Sequence, residues 1–363
     1  MKVLIAGGGT GGHVFPALAV AQAIVAEPAG SQVLFAGTER GLEARAVPAA
    51  GFGLECVRVA GLKRMGWAGR LRGLALLPIA FVDSWRIISR FKPDVVLGVG
   101  GYASGPVVLC AWLRGVATAI CEQNSVPGFT NRVLGRLVPA VLASFEVSRR
   151  YFAAERFHLV GNPVRAALIA PRPDTYADDP VRVLVLGGSQ GARPLNERLP
   201  AGFALAFKQG QQFSIVHQAG PNDVDKVRAA YAGLGIVADV RGFIDDMAAV
   251  YAQTDLVIGR AGATTCAELT ALGLPAVLIP FPQAADDHQT VNARALVDAG
   301  AAVLLPQSEL TAERMAAVLA PLTMGDGAQL AQMADAARAL GRPDAAAQVK
   351  TALERLVRGD RRW

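Results

Sequence analysis

The feature that most constrains this chain is a recurring unit of three parts. A short apolar run without alternation comes first, then a glycine turn, then a stretch with helical spacing. Val3–Ala6 precedes Gly7–Gly12, Gln32–Ala36 precedes Gly37, and Asp94–Val99 precedes Gly100 and Gly101. Val181–Leu186, Leu256–Ile258 and Ala276–Pro280 repeat the pattern in the second half, as do Ala117–Cys121 and Phe213–Gln218. Apolar runs of this length read as parallel strands buried on both faces. Their alternation with helical stretches predicts βαβ units and an α/β fold.

The two halves each open on a strand and a glycine-rich turn, at 7–12 and at 187–191. Between them Pro163, Pro171, Pro173 and Pro180 mark a linker. The expected division is 1–162, 163–340 and a C-terminal amphipathic helix at 341–363. Two doubly wound parallel-sheet domains would face a cleft, with ligands at the carboxyl ends of the strands. A chain of 363 residues with 52% hydrophobic and 18% charged residues has ample core material, which excludes disorder. Cys56, Cys110, Cys121 and Cys266 lie far apart, which argues against a disulfide framework or a zinc ribbon. The start lacks the apolar stretch of a signal peptide. The apolar run Gly73–Val82 spans ten residues around Pro78, short of the roughly 20 that cross a bilayer.

The net charge of +6 is unevenly placed. Residues 1–160 hold 17 basic and 9 acidic residues, against 19 and 21 in the remainder. Eight of those cations (Arg58, Lys63, Arg64, Arg70, Arg72, Arg86, Arg90 and Lys92) fall within 58–92, beside the single acid Asp83. Interleaved with them are Leu74, Leu76, Leu77, Ile79, Phe81, Val82 and Trp85. Apolar residues ringed by cations suit an anionic membrane surface, and a helix with a solvated basic face is the plainer alternative. Nucleic acid is disfavoured, because aromatic residues are only 6% and no recognised motif is present. The terminal cluster Arg358, Arg361 and Arg362 reads as a solvated end.

Three glycine loops stand before helical stretches, where backbone N–H groups and the helix dipole favour an anion. The first, Gly7–Gly12, matches G-x-G-x-x-G, but Gly37-Thr38 stands where a dinucleotide-binding unit places its ribose-binding acid. It is either a tight structural turn or a ligand loop. His13 follows it and is a candidate for catalysis or substrate contact. The second, Gly187–Ala192, lacks the Lys-Ser/Thr pair of a Walker loop. The third, Gly259–Thr265, leads to Glu268, which suits a ribose diol or a helix-dipole role. The run Asp286–Gln289 offers polar groups to sugar hydroxyls, and no matching ligand set makes it a metal site.

Seven segments together carry a specific resemblance. GGGTGGHVFP (7–16), GVGGYASGP (98–106), EQNSVPGFTN (122–131), VGNPVR (160–165), GGSQGA (187–192), FIDDM (243–247) and RAGATTCAE (260–268) occur in order with similar gaps. They resemble glycosyltransferase family 28, in particular its bacterial members that add N-acetylglucosamine (GlcNAc) to lipid I to make lipid II. The resemblance implies a GT-B fold, with the acceptor in the N-terminal Rossmann-like domain and UDP-GlcNAc in the C-terminal one. It places Thr10, Gly11 and Gly12 near the donor, Asn124 on the GlcNAc moiety, and Arg165 and Ser189 around the nucleotide. It assigns the uracil to Ile244, the diphosphate and ribose to Ala263, Thr264, Thr265, Cys266, Ala267 and Glu268, and GlcNAc hydroxyls to Gln289. Cys121 and Ala261 depart from residues found in some members.

The implied reaction is an inverting transfer from UDP-GlcNAc to the MurNAc C4 hydroxyl of lipid I, with no cofactor and no metal called for. His13 is the first candidate base and Glu122 the alternative. The implied partners are UDP-GlcNAc, lipid I, an anionic membrane surface and other cell-wall synthesis proteins. The implied place is the cytoplasmic face of the inner membrane, as a peripheral protein. The alternatives are another GT-B enzyme, such as a UDP-GlcNAc 2-epimerase, or a non-catalytic nucleotide-sugar-binding protein.

Overall fold

The computed structural model describes residues 1–26, 30–59, 67–169, 180–188 and 191–360, with side chains of 67–75 and 285 excluded. Two compact units account for the chain: Met1–Arg165 with Arg342–Trp363, and Ala166–Gly341. The division thus falls at Arg165, three residues after the position expected from the prolines.

Unit 1 contains β1 (Lys2–Ala6), α1 (Gly11–Val25), β2 (Gln32–Gly37), α2 (Glu43–Ala49), β3 (Gly53–Cys56) and α3 (Trp67–Phe91). It continues with β4 (Val95–Gly98), α4 (Ser104–Leu113), β5 (Ala117–Glu122), α5 (Phe129–Leu134), β6 (Ala140–Ala143) and β7 (Phe157–Leu159). Unit 2 contains β8 (Val181–Leu186), α6 (Arg193–Lys208), β9 (Phe213–Gln218), α7 (Val224–Gly233), β10 (Asp239–Arg241) and α8 (Met247–Ala252). It ends with β11 (Leu256–Gly259), α9 (Ala263–Leu272), β12 (Ala276–Leu278), α10 (His288–Asp298), β13 (Ala302–Leu304), α11 (Ala312–Thr323) and α12 (Ala328–Leu340). The last helix, α13 (Ala345–Val357), belongs to unit 1.

Both sheets are parallel. Unit 1 orders its seven strands β3-β2-β1-β4-β5-β6-β7, and unit 2 orders its six β10-β9-β8-β11-β12-β13. In each, the chain winds outward one way and then the other from a central strand. That creates a switch point between β1 and β4, and a second between β8 and β11, where loops diverge and leave room for a ligand. The first glycine loop lies at one switch point, and the second and third loops at the other. The apolar runs form central strands, and β1, β4 and β11 are buried almost throughout.

The tail helix shows how spacing fixes its place. Ala345, Val349, Ala352, Leu353 and Leu356 are buried, which is one helical face. That face joins the core formed by β1, β4 and α1. Burying Val349, Leu353 and Leu356 contributes about 2 kcal/mol each, enough to tie the tail to the N-terminal sheet.

In unit 2 a polar network is buried within the apolar core. His217 on β9 is fully buried, with Nδ1 3.0 Å from Tyr231 Oη and Nε2 3.1 Å from Asn196 Oδ1. Asn196 Nδ2 donates to the Ala219 carbonyl at 2.9 Å and to Asp223 at 3.1 Å. Burial pushes the His217 imidazole down to about 4. The unfolded chain protonates it near 6.5. Its neutral state therefore stabilises the fold fully above about pH 6.5, and that contribution is lost as the pH falls to about 4. The loss is about 3 kcal/mol. Denaturant titrations at pH 7 and pH 4.5 should show it, and His217→Gln should remove most of that pH dependence.

Candidate active site

At the first switch point, two glycine segments interlock backbone against backbone. The Gly8 N–H donates to the Gly100 carbonyl at 3.3 Å. A Cβ on Gly7 would lie 2.3 Å from the Gly100 oxygen, and one on Gly101 would lie 2.4 Å from the Gly8 oxygen. Positive φ at Gly7, Gly8 and Gly9 (148°, 148° and 94°) adds the second reason for glycine here. The chain then enters α1 through exposed Thr10, with half-buried Gly11, Gly12 and His13 in the first turn.

His13 Nδ1 lies 3.3 Å from the Gly8 carbonyl and 3.5 Å from Thr10 Oγ1. A carbonyl only accepts, so Nδ1 carries the proton and Nε2 is the basic nitrogen. That is the tautomer a general base needs.

The loop after β5 is held by Glu122. Its Oε1 accepts from the Asn124 N–H at 2.9 Å, and its Oε2 accepts from Asn131 Nδ2 at 2.8 Å. Glu122 is 2% exposed, and burial raises it to about 7 against the lowering effect of those bonds. Its oxygens brace the loop and present half-buried Asn124. Arg165 lies over the Phe15 ring at 5.0 Å, and its buried Nε has no hydrogen-bond partner among the described residues.

At the second switch point, a Cβ on Gly191 would lie 2.0 Å from the Ala219 oxygen, so the loop before α6 is pressed against the end of β9. Ser189 lies outside the described residues. The third loop caps α9 through extended Gly262. Ala263 is buried, Thr264, Thr265 and Ala267 are half-buried, and Thr264 Oγ1 is buried without a hydrogen-bond partner among the described residues. Cys266 faces inward. Its N–H donates to the Gly262 carbonyl at 2.9 Å, and its thiol is buried and pushed up to about 12. Its side chain belongs to the buried face of α9. Ala261 is fully buried, and its carbonyl accepts from Asn292 Nδ2 at 3.1 Å. Its place is therefore fixed from α10 without a hydroxyl.

Glu268 sits one turn into α9, and its Oε2 accepts from Tyr251 Oη at 2.8 Å. Tyr251 is 1% exposed, so this bond fixes the carboxylate. Gln289 accepts from the Phe281 N–H through Oε1 at 2.9 Å, which orients its amide group. Before it, Asp286 and Asp287 hold left-handed backbone at φ 54° and 51°, a strain found at functional turns. The Ile244 side chain is buried, so only its backbone is open to a contact. Arg260 donates to the Ile279 and Pro280 carbonyls at 3.0 Å and to Gln307 at 2.6 Å. Burial lowers it to about 10, so it stays a cation while stapling the loop to the end of β12. Tyr251, Arg260 and Asn292 escaped the sequence reading, since each acts through a neighbour distant in sequence.

On α3, Leu77, Ile79, Val82 and Trp85 are exposed by 37–47%, beside exposed Arg86. Leu76 is half-buried. Phe81 is half-buried too and packs partly against the core of unit 1. Arg70, Arg72 and Leu74 lie outside the described side chains, and Lys63 and Arg64 outside the described residues. Arg58 grips Asp83 through two bonds of 2.9 and 2.6 Å, and Arg90 pairs with Glu55 at 2.6 Å. Part of the positive charge is therefore committed within the fold. On α4, Trp112 and Leu113 are exposed too, and Arg114 stacks on Trp85 at 4.7 Å. Their link to α3 is tertiary. Among the described residues no helix is long and apolar enough to cross a membrane, and no cluster of metal-ligating side chains occurs.

Two family models match the chain. The glycosyltransferase family 28 N-terminal domain covers residues 3–143, and the C-terminal domain covers residues 182–349. A Myxococcus xanthus protein is 51% identical over 96% of this chain and 91% of its own length. A Geobacter metallireducens protein is 45% identical over 95% and 96%. Both are named UDP-N-acetylglucosamine–N-acetylmuramyl-(pentapeptide) pyrophosphoryl-undecaprenol N-acetylglucosamine transferase. Among solved structures, MurG of Acinetobacter baumannii aligns with a TM-score of 0.80 at 35% identity, covering 98% and 99% of the two chains. The UDP-GlcNAc 2-epimerase of Neisseria meningitidis, bound to UDP-GlcNAc, aligns at 0.69 but only 14% identity, a likeness of fold alone. The two sheets have the GT-B architecture of Rossmann-like domains, and with both domain models matched in order the chain belongs to glycosyltransferase family 28.

Proposed function

We propose that this chain transfers GlcNAc from UDP-GlcNAc to the C4 hydroxyl of the MurNAc unit of lipid I, forming lipid II for peptidoglycan synthesis. The observation that carries this reading is the 51% identity, over nearly the whole chain, to a transferase named for that reaction. The epimerase alternative has only the fold in common.

In this reading unit 2 holds the donor. Glu268, fixed by Tyr251, accepts from the ribose hydroxyls, and the Ile244 backbone meets the uracil. The start of α9 with the Thr264 hydroxyl, and the start of α6 with Ser189, receive the diphosphate. Negative charge builds on the departing UDP, and oriented N–H groups at helix starts stabilise it as it forms. Gln289 and Asn124 read the sugar. In unit 1, His13 Nε2 takes the proton of the C4 hydroxyl as that oxygen attacks the anomeric carbon. Attack opposite the leaving UDP inverts the configuration. Thr10, Gly11, Gly12 and Arg165 complete the substrate contacts. A lipid I analogue with the MurNAc C4 hydroxyl replaced by hydrogen tests the chemistry. It should release no UDP, and UDP release equal to that with the unmodified analogue would overturn the reading.

The lipid acceptor calls for a membrane surface, and we assign the α3 patch with Trp112 and Leu113 to it. The enzyme then acts as a peripheral protein on the cytoplasmic face of the inner membrane. Each basic residue near an anionic surface contributes about 1 kcal/mol, and buried tryptophans add apolar area. Sedimentation should show binding to vesicles containing anionic lipid that weakens with salt, and a Trp85→Ser/Trp112→Ser variant should bind about tenfold or more weakly. Equal, salt-insensitive binding to neutral vesicles would refute the assignment.

A further inference from the structure

One carboxylate outside the proposed substrate contacts lies beneath the first glycine loop. Glu43 opens α2 and is 1% exposed. Its Oε2 accepts from the Gly9 N–H at 2.7 Å. Its Oε1 accepts from the Thr38 N–H at 2.9 Å and from the Thr38 hydroxyl at 2.7 Å. Three glycines make room for it. A Cβ on Gly8 would lie 2.2 Å from its carboxyl carbon, one on Gly41 2.0 Å from Oε2, and one on Gly37 2.7 Å from Cγ. Burial works to raise its pKa, but the bonds from Gly9 and Thr38 outweigh it and hold the group below the usual carboxylate range. It is an anion at neutral pH, with no cation paired to it among the described residues.

In a dinucleotide-binding βαβ unit, this neighbourhood takes a phosphate and a ribose. Here the chain fills it with its own carboxylate. The bond to Gly9 has a further consequence. The Gly9 N–H and the Gly8 carbonyl belong to one planar trans peptide, so they point in opposite directions. Glu43 grips the N–H end of that plane, and His13 Nδ1 meets the carbonyl end at 3.3 Å. A glycine pair is otherwise free to rotate this plane. Turning it would remove the acceptor that keeps the proton on Nδ1.

We propose that Glu43 is a positioning residue, a resident anion that locks the Gly8–Gly9 peptide and through it sets the ring orientation and tautomer of His13. A carboxylate that fixes a histidine tautomer by direct contact is a familiar device. Here a single peptide stands between the two. The inference rests on His13 as the base for its catalytic meaning. Its structural content is independent of the transferase reading.

The test uses imidazole nitrogen-15 spectra of the full chain with His13 assigned. The wild type should show the Nδ1–H tautomer. Glu43→Gln keeps the volume but places an amide group against an N–H donor, and should move His13 toward the Nε2–H form. With UDP-GlcNAc and a lipid I analogue, its kcat should fall about tenfold or more, while the KM for UDP-GlcNAc stays within about twofold. Glu43→Ala leaves a carboxylate-sized space. Formate should restore the Nδ1–H signal there and raise the melting temperature saturably, with no such effect on wild type or Glu43→Gln. Should Glu43→Gln fail to fold, the formate response of Glu43→Ala decides. An unchanged His13 tautomer in folded Glu43→Gln, or no response of Glu43→Ala to formate, would overturn the proposal. A wild type with the expected tautomer but no transferase activity would count against the function alone.

Discussion

His13→Ala should lower kcat about a hundredfold to ten-thousandfold, the range for losing a positioned general base. The KM for UDP-GlcNAc should change little, because the donor is assigned chiefly to unit 2. The geometry behind this is specific. Nδ1 donates to the Gly8 carbonyl, which leaves Nε2 basic. The His13 ring is half-buried at the start of α1, whereas Glu122 is 2% exposed and its oxygens are held by Asn124 and Asn131. His13→Gln should be nearly as slow, since an amide keeps the size and hydrogen bonding but cannot accept the proton. Steady-state kinetics with both substrates saturating checks this. Turnover within about threefold of wild type would remove His13 from the chemistry.

Glu268→Ala should act on the other side of the reaction. A carboxylate accepting from both ribose hydroxyls is worth about 1.5–3 kcal/mol per charged hydrogen bond. Loss of both predicts a fall in kcat/KM for UDP-GlcNAc of at least about a hundredfold, appearing mainly in KM. Tyr251→Phe deletes the 2.8 Å bond that aims the carboxylate. It should raise the same KM about five- to tenfold and leave the KM for lipid I near wild type. UDP binding by calorimetry separates the effects without turnover. A Glu268→Ala variant that binds UDP as tightly as wild type would show that the ribose is held elsewhere.

The contrast between central and edge strands explains what was legible. The expected range Val181–Leu186 is β8 itself, and Phe213–Gln218 is β9. Both lie inside a parallel sheet, where most side chains are buried. The runs before the glycine loops are likewise the strands flanking the switch points, so fold class and loop placement could be read together. β3, β7, β10 and β13 escaped because they are three- or four-residue edge strands with mixed burial. β6 escaped for another reason. Its four residues, Ala140–Ala143, are wholly buried, but Pro139 precedes them and no glycine turn follows to mark the strand.

Site residues divide in a similar way. Glycines, His13 and Glu268 stand in contiguous motifs that make sense as loop-and-helix chemistry. Their supports do not. Tyr251 reaches Glu268 from α8, Asn292 reaches Ala261 from α10, and Glu43 reaches Gly9 across 34 residues. Such contacts depend on packing between elements, which spacing along the chain does not encode. Cys266 shows the converse. It lies inside the motif, and helix geometry turns its side chain into the core.

The charge excess changed meaning by the same route. Counted along the chain, residues 58–92 carry eight cations and one acid. In the fold, Arg58 neutralises Asp83 and Arg90 pairs with Glu55, while Trp112 and Leu113 of α4 add exposed apolar area. The patch is thus less cationic and more aromatic than its segment suggested.

The central claim is that GlcNAc is moved to the MurNAc C4 hydroxyl of lipid I, and the product lipid tests it most directly. The full chain would be incubated with UDP-GlcNAc and a lipid I analogue, and the lipid isolated for mass and linkage determination. The account predicts a lipid heavier by one N-acetylhexosamine residue, joined β-(1→4) to MurNAc, with one UDP released per product. An unchanged lipid, with UDP-GlcNAc converted to UDP and N-acetylmannosamine without need of acceptor, would contradict it.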